Sequence, residues 1–339
     1  MKINRFKSAN SYGQICVNII CFCFCACLIT IPINSRSQQS IQLSQYQFHS
    51  AVFNPSYTGV YDALVLVAGY RNQWTGLTGA PKSQVVNFNL PLRRLRSGIG
   101  MTLISEALGA EKNVKLFFDY AYHLPFDFGT ISMGIKAGFM QKSLDGERLR
   151  APQGDYDFEL DHNDPTIPTS KVSDIVPSLT SGLSLSGKRF KLGIAISGLL
   201  VNTLNIENQI GTTTILNKPH LTLDAGYAFA ISKIEMGPSV LYKTNFIESI
   251  IDATVNAKIN DVFYLGAGYR GYTKERKDAL VTNLAVQIAG TTIGYSFDWG
   301  LHTLKKINKG THEVLLRYVL DIKGGKRNVG VENLRYLYY

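Results

Sequence analysis

Val114-Lys115-Leu116-Phe117-Phe118-Asp119-Tyr120-Ala121-Tyr122-His123-Leu124 changes character at every step, with Val114, Leu116, Phe118, Tyr120, Tyr122 and Leu124 interleaving with Lys115, Phe117, Asp119, Ala121 and His123. Successive side chains of an extended chain point to opposite faces, so this stretch is a strand with one apolar face. The same period returns elsewhere. Ile131, Met133, Ile135, Ala137 and Phe139 oppose Ser132, Gly134, Lys136 and Gly138; Val314, Leu316, Tyr318, Leu320 and Ile322 oppose Glu313, Leu315, Arg317, Val319 and Asp321. Gly, Asn, Asp and Pro turns separate such runs from Asp62 nearly to the C-terminus, and no helical period replaces them.

The pattern predicts fourteen strands, near 62–74, 83–91, 98–106, 113–124, 130–140, 177–187, 188–200, 219–231, 233–243, 249–259, 262–271, 278–289, 291–300 and 311–322. Most run about ten residues, enough to cross a bilayer at a tilt of about 45°. Lys, Arg, Asp and Glu fall on the less apolar face, where a wet interior solvates or pairs them; facing lipid at mid-depth, Arg or Lys would cost about 2–4 kcal/mol. The connections alternate between short turns, such as Gly187-Lys188, Ser232 and Gly290, and longer segments, including 141–176 and 201–218. The expected fold is all-β: a transmembrane antiparallel β-barrel of about 14 strands, with short periplasmic turns and longer extracellular loops. A soluble sandwich also alternates, but it would need charged outer faces, and here the polar faces are mostly Gly, Ser, Thr and Asn.

Composition agrees. Charged residues make up 18%, against about 25% in ordinary soluble domains, and the chain holds 30 Gly and 17 Phe, 18 Tyr and 2 Trp. Residues 1–37 read as a signal peptide: Lys2, Arg5 and Lys7 precede an uncharged apolar run from Ile15 to Ile33, then Ser35-Arg36-Ser37. A retained anchor is the alternative, weakened by Asn18 and Pro32 within the run; cleavage before Cys27 as a lipoprotein is another, weakened by the apolar residues continuing to Ile33. All five cysteines lie between Cys16 and Cys27, so cleavage near Gln38 leaves no disulfide or thiolate metal site. The expected organisation is a signal peptide at 1–37, a periplasmic N-terminal segment at 38–61, the outer-membrane barrel at 62–322 and a periplasmic tail at 323–339.

Chemistry-bearing motifs are missing from the sequence. Six histidines are scattered, and neither Gly-x-Ser-x-Gly, His-Glu-x-x-His nor a glycine-rich phosphate loop occurs, so no enzyme, cofactor or metal is expected. Asp155, Asp157, Glu159, Asp161 and Asp164 crowd one outer loop without the spacing of a calcium-binding EF-hand. Of the net charge of +10, the four basic residues Lys2, Arg5, Lys7 and Arg36 fall in 1–37; the remaining +6 is spread over many loops and not gathered with a stacking platform, which argues against nucleic acid and leaves anionic lipid as a partner.

One series of residues is more specific. Leu43-Ser44-Gln45-Tyr46-Gln47-Phe48 is followed by Phe53-Asn54-Pro55-Ser56-Tyr57-Thr58-Gly59, by Tyr70-Arg71-Asn72-Gln73-Trp74, by Gly79-Ala80-Pro81 and by Leu90-Pro91-Leu92. In this order and spacing it resembles the PorP/SprF family of outer-membrane proteins of the type IX secretion system of Bacteroidetes. Asp164-Pro165, Val176-Pro177-Ser178 with Gly182, Asp261 to Arg270, Ile293 to Asp298 and Thr311-His312-Glu313 extend the resemblance over the rest of the chain, while 324–339 is a somewhat extended tail. The resemblance implies an outer-membrane barrel that works with secretion and gliding machinery components and supports export or surface attachment of a secreted adhesin cargo. A channel or transporter for small or hydrophobic solutes is the alternative.

Three groups of candidate site residues follow. The motif residues Gln45, Tyr46, Asn54, Pro55, Gly59, Arg71, Gln73, Trp74, Gly79 and Pro81 would form either a partner-recognition surface or turns and an aromatic belt. Lys115, Asp119, His123 and Lys136 share the interior face of adjacent strands and would line a channel or form a charge-paired filling. Arg93, Arg94 and Arg96, with Lys326 and Arg327, would place two basic clusters on the periplasmic side, for docking or for anchoring on lipid phosphates.

Overall fold

The computed structural model describes residues 41–321 except 62, 158–159, 201–202, 209–210, 217, 273–275 and 302–305; the expected signal peptide, the 323–339 tail, Lys326 and Arg327 lie outside the described residues. The described chain forms seventeen strands: β1 (Leu64–Asn72), β2 (Lys82–Leu92), β3 (Ser97–Leu108), β4 (Glu111–Phe126), β5 (Gly129–Asp145), β6 (Lys171–Ser186), β7 (Phe190–Ser197), β8 (Thr203–Asn208), β9 (Gly211–Leu216), β10 (His220–Tyr227), β11 (Phe229–Ile231), β12 (Ile234–Thr244), β13 (Ser249–Ile259), β14 (Phe263–Tyr272), β15 (Arg276–Ile288), β16 (Thr291–Gly300) and β17 (Thr311–Leu320). β8 and β9 pair only with each other, and β10 and β11 are one strand broken at Ala228, both halves lying on β12. Every remaining neighbour in sequence pairs antiparallel, and β1 closes the ring on β17 from Leu64↔Leu320 to Asn72↔His312. The result is a closed barrel of fourteen strands, which leaves no long sheet edge.

The alternation read at Val114 to Leu124 holds in space. Phe118 is 61% exposed on the outer face while neighbouring Asp119 is 3% exposed on the inner one; Leu316 and Leu315 repeat the contrast. The outer wall carries an apolar band edged by aromatic residues, with Tyr70, Tyr295 and Trp299 toward one rim and Tyr122, Phe126, Tyr227 and Tyr318 toward the other. An apolar exterior around a polar interior suits a bilayer and not water. The connections at one end are short, at 93–96, 127–128, 187–189, 260–262 and 289–290. At the other end lie the long ones, 73–81, 146–170, 198–219 and 301–310.

Two departures from the expected strands concern that second end. β5 and β6 run 17 and 16 residues where about ten suffice to cross, so they stand well beyond the bilayer. Their outer halves are polar, with Lys142 opposite Asp174 and Asp145 opposite Lys171, which is why the sequence there reads as loop. The segment expected as loop from 201 to 218 contains the β8–β9 hairpin, tied to the projecting β6 where Asn205 N donates to the Asp174 carboxylate at 2.7 Å.

The N-terminal segment needs a correction. Expected to precede the barrel in the periplasm, it runs inside it from Ile41 to Val60 as three short helical turns, Tyr46–His49, Ser50–Phe53 and Pro55–Tyr57. Its apolar residues lack a long helical or strand period because they face wall on every side. Phe48, Ala51 and Tyr57 pack with Val65, Val67 and Leu315, and Ile41, Leu43 and Val52 with Val85 and Ile104. Ser44 lies level with the outer ends of β1 and β17, and Gly59 with the turn between β2 and β3, so the plug descends from the long-loop end to the short-turn end. Sidedness is testable because cysteine is confined to residues 16–27. A cysteine at Thr78 should react with a membrane-impermeant maleimide on intact cells, whereas one at Arg94 should react only after the outer membrane is opened.

Candidate functional site

The interior is where the chain concentrates its chemistry. Arg71 on β1, Asp252 on β13, Arg270 on β14, Asp298 on β16 and Glu313 on β17 all sit at inward positions and are buried. Asp298 joins both guanidinium groups, with Arg71 Nη2 and Arg270 Nη1 each donating at 2.6 Å. Arg270 Nε donates to Asp252, and Arg71 Nη1 donates to Glu313 at 3.2 Å. The plug completes the cluster: the backbone N–H groups of Ser44 and Gln45 donate to the two Glu313 oxygens at 2.6 and 2.9 Å, and Ser44 Oγ donates to Asp298 at 2.7 Å. Charges removed from water demand such close compensation.

Buried lysines hold the plug, two of them through its main chain. Lys136 donates to the carbonyls of Ala51 and Val52 at 2.9 Å each, where a single helical turn leaves carbonyls without internal partners. Lys243 donates to Ile41 O at 2.8 Å, and Lys191 to Ser50 Oγ at 3.0 Å. Lower down, Asn54 donates to the carbonyls of Leu183 and Ile194, and Tyr57 donates to the Asp224 carboxylate at 2.6 Å. His49 is buried in the plug with neither ring nitrogen hydrogen bonded among the described residues.

Glycine lets the plug approach the wall. A Cβ on Gly134 would stand 2.3 Å from the backbone of Pro55 and Ser56, and one on Gly182 would stand 2.1 Å from Asn54 Oδ1. Gly59 has φ +72° and meets Gly98 Cα at 2.4 Å from where its own Cβ would be, so this corner needs glycine for conformation and for room.

The sequence-derived residues fall into place as follows. Gln45, Tyr46, Asn54, Pro55 and Gly59 belong to the plug and are buried, while Arg71 anchors it. Gln73 and Trp74 line a small recess with Arg71, Asp298 and Asn308 at the outer mouth, so Trp74 is not on the outer aromatic belt. Gly79 and Pro81 lie in the 73–81 loop, where Gly79 O accepts from Gly109 N at 2.8 Å. Of the four interior residues, Lys136 and Asp119 form an ion pair at 3.5 Å, and His123 contacts Ser132 and the plug carbonyl of Thr58. Lys115 is separate, paired with Glu106 at 2.9 Å nearer the outer mouth. Arg93, Arg94 and Arg96 form the short turn between β2 and β3, with Arg94 and Arg96 exposed. Reading by strand missed Asp252, Lys191 and Lys243, whose inward parity was legible but whose partner, the plug, was not. Among the described residues no three His, Cys, Asp or Glu side chains are grouped to hold a metal; the outer-loop Asp155, Asp161 and Asp164 instead accept from backbone N–H groups two residues on.

A closed barrel with an apolar belt, a polar interior and a chain segment locked inside it defines a plugged outer-membrane barrel. The family model described as type IX secretion system membrane protein PorP/SprF matches residues 35–318, and the chain belongs to that family. No curated protein matches the sequence. Among solved structures it is similar to the CymD monoaromatic hydrocarbon channel, at 10% identity and TM-score 0.50 over 83% of this chain and 93% of that one. It is also similar to the toluene transporter TbuX of Ralstonia pickettii (11%, 0.49, 80% and 93%) and to outer membrane protein Omp33 of Acinetobacter baumannii (6%, 0.44, 78% and 100%). At such identities the likeness to CymD speaks for the barrel fold alone. The protein is an outer-membrane component of the type IX secretion system.

Replacing Asp298 by Asn should leave Arg71 and Arg270 undercompensated in the interior and cost about 3–5 kcal/mol. The loss would be read as a lower temperature for the unfolding shift in detergent electrophoresis. Gly182→Val should dislodge Asn54 and expose the plug to protease without unfolding the wall.

Proposed function

We propose that this barrel supports export or cell-surface attachment of a secreted adhesin, acting as a non-enzymatic scaffold whose outer end receives the cargo while its interior stays filled. The observation that carries this reading is the plug, bound by Arg71, Arg270, Asp298 and Glu313 of the wall, by Lys136 and Lys243 at main-chain carbonyls and by Lys191 at a hydroxyl, in a chain of a secretion family. A filled interior favours a mount over a conduit. The projecting ends of β5 and β6 supply the mounting surface, together with the 146–170 loop and the β8–β9 hairpin. That loop is internally braced: His162 is buried between Tyr156 Oη at 3.0 Å and Pro168 O at 3.2 Å, and Arg150 lies over the Tyr156 ring at 4.5 Å. A braced loop gives up little further entropy on binding.

The organisation that goes with this reading is a cleaved signal peptide at 1–37, a plugged barrel and a basic tail from 323. The exposed Arg94 and Arg96 would meet periplasmic machinery or lipid phosphates at the opposite end. A role in gliding belongs to the same reading through the adhesin.

Affinity purification from intact outer membrane should recover one large secreted protein with the full chain. Replacing residues 146–170 by a short Gly-Ser turn should abolish that recovery while the barrel still folds. Recovery unchanged by the replacement, or unaltered surface display of every adhesin in a deletion strain, would count against the proposal. In planar bilayers the intact protein should show no steady open conductance; a steady open pore would favour solute transport instead.

A further inference from the structure

The outer ends of β1 to β4 carry a recess that the plug does not use. Asn72, Lys82, Ala107 and Lys112 are successive cross-strand partners and therefore stand in one row. Their side chains point outward, because the alternate positions, Arg71, Val85, Ile104 and Asp119 among them, are buried inside. The next outward row toward the bilayer is Tyr70, Gln84, Ser105 and Val114, and the one after it is Ala68, Val86, Leu103 and Leu116. Rows on one face lie about 7 Å apart along the strands, so Lys82 and Lys112 stand about 14 Å along the tilted strands, or about 10 Å in height, above the first wholly apolar row. This is the level of lipid headgroups.

Above the row, the 73–81 loop folds over and Gly109 N donates to Gly79 O. The recess is open to solvent and measures about 360 Å³, bordered by Leu77, Gly79, Lys82, Ala107, Gly109 and Arg148. That falls within the range of about 300–1,000 Å³ typical of small-molecule sites. The absence of side-chain bulk at Gly79, Ala107 and Gly109 leaves the room.

The charge there is unspent. Lys82, Lys112 and Arg148 are exposed, and no side-chain partner holds them among the described residues. The acidic residues of the same strands are turned inside, Glu106 onto Lys115 at 2.9 Å and Glu111 onto Lys142 at 2.9 Å. Asp145 and Glu147 are the carboxylates that remain near Arg148 on the projecting end of β5 and the turn after it.

From the recess, the cation row and the apolar rows directly below it, we propose that this site binds the phosphorylated sugar headgroup of an outer-leaflet glycolipid. Lys82 and Arg148 clasp the phosphate, the glycine-lined recess takes the sugar, and the acyl chains lie over Val86, Leu103 and Phe118. Lys112, two strands along and about 10 Å from Lys82, meets a second phosphate or the neighbouring lipid. A free phosphate ion would use the cations but gain nothing from the apolar rows.

The test uses the full-length protein in mild detergent, titrated with monophosphoryl lipid A, with the same lipid dephosphorylated, and with inorganic phosphate, and read by native mass spectrometry. Monophosphoryl lipid A should be retained. The other two should bind weakly, and Lys82→Glu with Arg148→Glu should weaken retention by about fivefold or more for each cation removed. Lys233→Glu, at an exposed lysine in the short turn before β12 at the opposite end of the barrel, should change nothing. Should the charge reversals fail to fold, Lys82→Gln and Arg148→Gln give the same ordering with smaller losses. Equal binding of the dephosphorylated lipid, full competition by inorganic phosphate, or undiminished retention in the folded double variant would overturn the proposal. So would a crosslinker at Thr78 that captures a protein and no lipid.

Discussion

Asp298, shared by Arg71 and Arg270, is the interaction on which the rest of the interior depends. Three strands and the plug meet at this carboxylate, and Glu313 beside it accepts two backbone N–H groups of the plug. Guanidinium groups cannot shed their proton, so once the barrel closes around them their charge has to be answered nearby. Placing the carboxylates on β13, β16 and β17 answers it, and the oxygens left over require donors. The plug supplies those donors from its main chain. Wall and plug are in this sense one polar structure.

Recognition of the plug by its main chain has a consequence for specificity. Lys136 and Lys243 bind carbonyl oxygens, Glu313 binds N–H groups, and Gly134 and Gly98 admit the backbone itself. Some plug side chains are read as well: Asn54 is fixed to Leu183 and Ile194, Tyr57 to Asp224, Ser44 to Asp298, Tyr46 to Asp252 O and Ser50 to Lys191. A segment held this way is positioned by shape and register, so the wall positions opposite it must be small or charged in a fixed order. The result is a barrel with a filled middle whose projecting surface is confined to the outer end.

Much of the wall was legible in the sequence. The parity of Val114 to Leu124 assigned every residue to lipid or interior, and fourteen strands with alternating short and long connections were readable because bilayer thickness fixes strand length. The outer halves of β5 and β6 were not, since beyond the bilayer neither face has to be apolar and the period fades into Lys142, Asp145, Lys171 and Asp174. The Asp119–Lys136 pair was readable from parity on adjacent strands, whereas its second partner, the end of a helical turn at Ala51 and Val52, was not. The motif residues Asn54, Gly59 and Arg71 stood out in order and spacing, yet nothing in their local pattern distinguished a surface from an interior.

By itself, then, the sequence determined an all-β chain with one apolar face, an interior able to carry charge, and a family. Those follow from local rules, because which way a strand side chain points depends only on its neighbours and on the solvent outside. Tertiary structure alone decided that residues 41–60 fill the barrel and that Arg71, Asp252, Arg270, Asp298 and Glu313 converge. These residues are spread over more than two hundred positions, and their meeting depends on ring closure between β1 and β17, a contact that no local pattern encodes.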